Sequence, residues 1–256
     1  MNEELNTSMS QIQRQSALDA WTRTALGEHL IGLEQRLVDQ ILPRLYGFHL
    51  MQLGISSQTP LYANSMIRHR FSIAAQSGDG NVSAISELEQ LPIESDSLDV
   101  MLVHHALEYS DRPHQLLREA ARVVVPHGNL IVIGFNPLSL FGLRQLASSR
   151  FGGPIWQGQL FSAHRVADWL RLLDFGIDSI QFSGHSLPVQ NPSILDRLGR
   201  VDELGLKWGL PGGASWMIHA CKQVSPLTPV KSFRRPRAPR LAVPFPAASA
   251  RHRTLH

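Results

Sequence analysis

The stretch LDVMLVHHALEYSDRPHQLLREAARVVVPHGNLIVIGF, residues 98–135, decides the fold. Its first six residues form an apolar run of the kind that a parallel strand buried on both faces requires. Residues 113–124 then carry apolar side chains at helical spacing (Leu116, Leu117, Ala120, Val124). Pro113 stands in the first turn, where its missing N–H removes no intrahelical bond. Pro126, His127 and Gly128 are predicted to end the helix, and residues 129–135 form a second buried strand. Strand, helix and strand at this spacing make a right-handed crossover, so the sheet is predicted to be parallel here.

The same reading extends in both directions. Upstream, residues 71–75 and 82–85 are short apolar segments divided by SGDG, a strong turn signal, and YGFHLMQL at 46–53 reads as a strand stopping at Gly54. Before it, Leu18, Trp21, Leu26, Leu30, Leu33, Leu37, Val38, Ile41 and Leu42 recur at helical spacing. This predicts two helices broken near Gly27 or Gly32 and stopped by Pro43. Downstream, Ser162 caps an amphipathic helix over 162–173, with Val166, Trp169, Leu170 and Leu173 on its apolar side. The last strands, 177–182 and 215–224, have no good crossover helix between them and are predicted to be antiparallel. The fold class expected is α/β: a mostly parallel central sheet with an antiparallel last strand.

The remaining features bound the function. With 256 residues, 43% of them apolar, the chain is long enough for a sizeable core. Its single cysteine, Cys221, excludes an internal disulfide, and reads as a small apolar residue within a strand. No Cys/His cluster at finger spacing is present, so no metal is expected. No leader or membrane span is legible, and a soluble cytoplasmic protein is the expectation. The formal charge of +3 conceals a partition: residues 222–256 hold eight basic and no acidic residues, leaving 16 basic against 21 acidic residues in 1–221. The proline-rich 225–256 segment is expected to be a disordered basic tail, with a weak contact to nucleic acid or an anionic surface as its functional reading and simple solubility as its bland one. The divisions expected are 1–43 helical, 44–224 the α/β domain, and 225–256 the tail.

Residues 86–135 resemble the class I S-adenosylmethionine-dependent methyltransferases, in particular the type 11 methyltransferase domain. The resemblance rests on an acidic residue and Leu91-Pro92 before the strand at 98, Leu98-Asp99-Val100 opening it, Leu117-Arg118-Glu119 and Arg122-Val123 in the helix, and Pro126-His127-Gly128 before the next strand. It implies a Rossmann-like fold and S-adenosylmethionine as cofactor. Where the family has a glycine-rich motif after its first strand, this chain reads Gln52-Leu53-Gly54-Ile55-Ser56-Ser57, so Gly54 is the surviving glycine and Gln52 replaces the acid. A glycine there lets the backbone approach the methionine part of the cofactor. Gln76 stands at the ribose-binding position, where an amide both donates and accepts. Glu87 and the backbone of Leu88 fall on the adenine side. His104, His105 and Glu108 fall where the family lines its methyl-donor and acceptor pocket, His104 toward the cofactor and His105 with Glu108 as the catalytic pair.

These expectations converge on a methyltransferase acting on a small-molecule acceptor. The loops after residue 135 and around 185–213 would shape the acceptor site, and residues 139–142 with 151–153 would form a mobile lid. Arg118, Glu119 and Arg122 read more simply as a locally paired helix face, and Trp21, Trp156 and Trp169 as packing residues. An alternative from another class is a methyltransferase fold without cofactor, serving as a binding or regulatory module. The eroded glycine motif and the short span between Gly54 and Ser86 favour it. A nicotinamide dehydrogenase is disfavoured, because no Gly-x-Gly-x-x-Gly follows the first strand.

Overall fold

The computed structural model describes residues 18, 20–54, 60–75, 82–142, 158–185, 202, 205, 208, 210 and 212–223. Seven strands form one sheet: β1 (His49–Gly54), β2 (His69–Ala74), β3 (Ala84–Ile85), β4 (Leu98–His104), β5 (Val124–Phe135), β6 (Phe175–Ser183) and β7 (Ser215–Lys222), in the spatial order β3-β2-β1-β4-β5-β7-β6. Pairs among β1 to β5 are parallel, and β7 runs antiparallel between β5 and β6. The fold class and the antiparallel last pair are as the sequence predicts. At the centre, every residue of β4 except Asp99 is buried, as a strand covered on both faces must be. Asp99 sits near the strand's start and accepts bonds from the Phe48 and His49 amides at 2.8 and 2.9 Å.

Among the described residues, three longer helices cover the sheet: α1 (Ala25–Ile41), α2 (Pro113–Val123) and α3 (Ala163–Leu172). The N-terminal break falls at Arg23 and Thr24 rather than at Gly27 or Gly32. Thr24 is the cap, its hydroxyl accepting from the Gly27 amide at 3.2 Å; a side-chain acceptor there satisfies an amide that has no intrahelical partner. Gly27 has a different reason to be glycine. A Cβ on it would lie 2.3 Å from the Trp21 carbonyl oxygen, so the preceding turn can pack tightly on the helix only without a side chain.

Two further boundaries differ from expectation. The Pro126-His127-Gly128 segment is not a turn between helix and strand; it lies inside β5, where the register with β4 is irregular between Leu98 and Val100. His127 there takes a φ of +63°, the local distortion that lets the strand absorb extra residues. Among the described residues, no helix connects β1 to β2. Instead Gln52 Oε1 accepts from the Leu61 amide at 2.9 Å, and Arg70 Nη1 reaches the carbonyls of Ala63 and Ser65 at 3.0 and 3.1 Å, pinning the short return. Leu61 and Ile67 are buried beneath it.

Elsewhere the packing follows the apolar patterns, with local exceptions. Cys221 lies in β7 but is half-exposed rather than buried. Trp21 is a packing residue, edge-on to Phe135 at 5.7 Å; Trp169 is half-buried against His114 and Phe161. No described helix is long and apolar enough to cross a membrane. The lid at 151–153, Trp156, most of the 185–213 insertion and the basic tail lie outside the described residues.

Candidate functional site at the ends of the parallel strands

In a sheet ordered β3-β2-β1-β4-β5, the chain reverses direction of travel between β1 and β4, and ligands of open α/β sheets bind outside the carboxyl ends of strands at such a point. The register aligns these ends in one row: Ile85 beside Ala74, Ala74 beside Gly54, Gly54 beside His104, and His104 beside Ile133. Five adjacent strands at the usual spacing make a ledge roughly 19 Å long.

Four buried polar side chains gather at its β4 end. Glu34 comes from α1, His104 ends β4, His105 follows it, and Glu108 lies in the turn beyond; each is 4% exposed or less. Glu34 bridges both rings, with Oε2 3.0 Å from His104 Nε2 and Oε1 3.1 Å from His105 Nε2. On the far side, His105 Nδ1 lies 3.1 Å from Glu108 Oε1, which also accepts the Phe135 amide at 2.7 Å. Glu108 Oε2 is buried with no hydrogen-bond partner. The backbone assists: His105 has a φ of +50°, which turns its ring away from the strand direction and stacks it on Phe135 at 3.9 Å. Gly134 leaves room, since a Cβ there would meet the Trp216 ring at 2.5 Å and Glu108 Oε1 at 3.0 Å.

The electrostatics separate two adjacent imidazoles. Burial alone lowers a histidine, and for His104 that effect prevails over its bond to Glu34, so its ring is held neutral. For His105 burial is outweighed by the Glu34 charge and by bonds to both Glu108 and Glu34, and its pKa rises to about 10. Burial would raise Glu34, but the His105 charge and the bonds to His104 and His105 hold it well below the ordinary carboxylate range. At neutral pH the arrangement is a His105 imidazolium bonded to the Glu34 carboxylate on one side and to Glu108 on the other, with a neutral imidazole beside it. His105, expected in a catalytic pair with Glu108, is thus a proton donor in this arrangement. The neutral ring is His104.

The other predicted site residues are spread along the ledge. Gly54 is buried at the end of β1 beside His104. Gln52 is buried behind it, with its carbonyl oxygen engaged by Leu61. Glu87 is exposed just beyond β3, and Leu88 after it is buried in the core; Gln76 lies outside the described residues. The loop at 91–95 is fastened by α2. Arg122 reaches the Leu91 and Ile93 carbonyls at 3.1 and 2.9 Å, and Glu119 accepts the Leu91 amide at 3.2 Å and pairs with Arg122. That helix face is therefore locally paired, as expected, and also shapes the adjoining loop.

Glu34 escaped the sequence reading. Its signal was a charged residue on the apolar face of α1, four residues after Leu30 and four before Val38, where a helix turns its side chains to the same side.

Comparison with known proteins agrees with this architecture. Residues 63–132 match the methyltransferase domain family. The chain is 33% identical over 161 residues to the protein YafS of Escherichia coli (strain K12), covering 63% of this chain and 66% of that one. It is 29% identical over 98 residues to the malonyl-[acyl-carrier protein] O-methyltransferase of Hahella chejuensis, covering 38% and 35%. The matches therefore span less than two thirds of either relative. Among solved structures, a SAM-dependent methyltransferase from Thermotoga maritima superposes with a TM-score of 0.60 at 18% identity, over 81% of this chain and 95% of that one. Residues 63–132 are thus similar to the methyltransferase domain family, and the seven-stranded sheet shares its fold with the Thermotoga maritima protein.

Proposed function

We propose that the protein transfers a methyl group from S-adenosylmethionine to a small-molecule acceptor at the ledge. The observation that carries this reading is the alignment of Ile85, Ala74, Gly54 and His104 in one row, with an exposed carboxylate at one end and a buried polar cluster at the other. A nucleoside joined to an amino acid is a molecule of that length and polarity. Glu87 is exposed where the adenosine end would lie and has a carboxylate to offer it. Gly54 lets the amino-acid end approach the β1 backbone, and His104 stands beside it.

The cofactor, when bound, supplies an already activated sulfonium methyl, so the protein's task is to hold the acceptor in line and manage a proton. The cluster suits the second duty. The neutral His104 is the ring free to take a proton, and its bond to the Glu34 carboxylate offsets part of the burial and of the neighbouring His105 charge that disfavour its imidazolium. Phe135, Phe141 and Trp21 pack against one another around His105 and keep that side apolar.

Calorimetric titration of the full chain with S-adenosylhomocysteine, before and after Glu87→Ala, tests the proposal. Saturable binding that weakens by about 10- to 100-fold in the variant, the worth of a hydrogen bond to a charged group, is the expected outcome. A folded protein that binds neither S-adenosylhomocysteine nor S-adenosylmethionine at millimolar concentration would leave the cofactor-free module as the better reading.

A further inference from the structure

We propose that Glu34, His104 and His105 form a site for one divalent metal ion of the zinc type, held by one carboxylate and two imidazoles where α1 closes onto the end of β4. One ligand atom from each of the three lies within 4.8 Å of the other two, and all three side chains are buried. Glu34 stands 3.0 Å from one ring nitrogen and 3.1 Å from the other. Donors around an ion with bonds of about 2.0 to 2.2 Å stand roughly 3.0 to 3.5 Å apart. The two carboxylate–imidazole contacts, one through each oxygen of Glu34, already have that spacing, and bringing the donors onto one ion requires the two rings to close from within 4.8 Å. Two nitrogens and a carboxylate select zinc-like ions over calcium or magnesium, which take oxygen ligands.

Two observations outside the triad point the same way. Glu108 Oε1 sits 3.1 Å from His105 Nδ1, the ring nitrogen that does not face Glu34. A carboxylate on the remote nitrogen is the arrangement that orients ligating histidines and raises their basicity. Glu108 Oε2, also buried, has no hydrogen-bond partner. Two carboxylates are thus enclosed with two imidazoles, and one doubly charged ion between neutral rings balances them. The consequence is mechanical: the ion would tie a residue of the N-terminal helix to residues 70 and 71 positions later in the chain. The geometry carries this site without reference to methyl transfer, and an ion bound there would take up the Glu34 and His104 groups assigned above to the proton, so the two roles belong to different states of the cluster.

Titration of the metal-stripped full chain with Co2+, read by its visible ligand-field absorption, and with Zn2+, read by calorimetry, tests the site. One equivalent per chain is expected. Glu34→Gln should weaken it by about 100-fold or more, and Glu108→Gln by about 10- to 100-fold, the usual effect of removing an outer-shell partner. The exposed His49 and His69 rings, with Nδ1 atoms 2.8 Å apart, are the natural competitor, and the double variant His49→Ala/His69→Ala should bind as the parent does. If Glu34→Gln fails to fold, His104→Gln asks the same question. Absence of saturable binding in the parent, unchanged binding in a folded Glu34→Gln or His104→Gln variant, or loss of binding in the His49/His69 variant would each overturn the proposal. Binding of S-adenosylhomocysteine is measured separately, so its failure leaves this result standing.

Discussion

The molecule carries two histidine pairs at opposite ends of its central parallel strands. His49 and His69 begin β1 and β2, exposed and edge-to-face at 4.9 Å, while His104 and His105 end β4, buried and 4.6 Å apart. Ring spacing is nearly the same; surroundings are not. Around the first pair water reaches both rings. Around the second, water is excluded and each proton's position is decided by Glu34 and Glu108. The difference teaches that a histidine pair acquires distinct chemical roles from burial and carboxylate partners, and that neither can be read from its being a pair.

Breaking the buried pair's partner should show the contrast at its largest. Glu34→Gln removes the charge that both rings share and leaves a buried imidazolium under-compensated, so a loss of about 3 to 5 kcal/mol at pH 7 is expected in chemical denaturation. A loss below about 1 kcal/mol would mean that the bridge does not hold α1 to β4.

The pH dependence should come next. His105 is protonated in the folded state up to about pH 10 but loses its proton near 6.5 when unfolded, so its contribution is complete below 6.5 and declines as pH rises toward 10. His104, lowered from the same 6.5, is neutral when folded and protonated when unfolded at lower pH, so its contribution declines as pH falls below 6.5. Glu34, lowered from 4.5, adds a further loss on acidification below that value. From these three groups the metal-free protein should therefore be most stable near pH 6.5, with each group contributing a slope of at most about 1.4 kcal/mol per pH unit. His105→Gln should flatten the alkaline limb. A denaturation series in which that limb is unchanged would place the proton elsewhere.

The smallest effect belongs to the exposed pair. His49→Ala/His69→Ala should alter stability by no more than about 0.5 kcal/mol in chemical denaturation, as surface substitutions do. A change comparable to that of Glu34→Gln would erase the comparison.

Much of the fold was legible because its signals are local. An apolar run buried on both faces, a proline in a first turn and a serine cap act within a few residues, and β4, α2 and α3 stand where those signals put them. Errors arose where a local signal had a non-local use. Gly27 looks like a helix break and instead admits the Trp21 backbone. Pro126-His127-Gly128 has the composition of a turn but is absorbed by β5, whose partner β4 lies earlier in the chain. Gln52, expected as a cofactor contact from the resemblance, also fastens the short return from β1 to β2 by accepting the Leu61 amide, a use that no local signal announces.

The candidate site divides in the same way. His104, His105 and Glu108 were visible in the sequence, because they follow a strand whose end must open at the ligand-binding edge of a parallel sheet. By itself the sequence determined the α/β class, the parallel core and the antiparallel end, and placed His104 and His105 at a strand's carboxyl end, since periodicity and turn residues act through neighbouring peptides. Only the tertiary structure decided that Glu34 reaches that place, that His105 holds the proton and that His104 does not. Those outcomes depend on charges brought together from 70 residues away and shut off from water, and the strength of such interactions is set by burial and distance rather than by order along the chain.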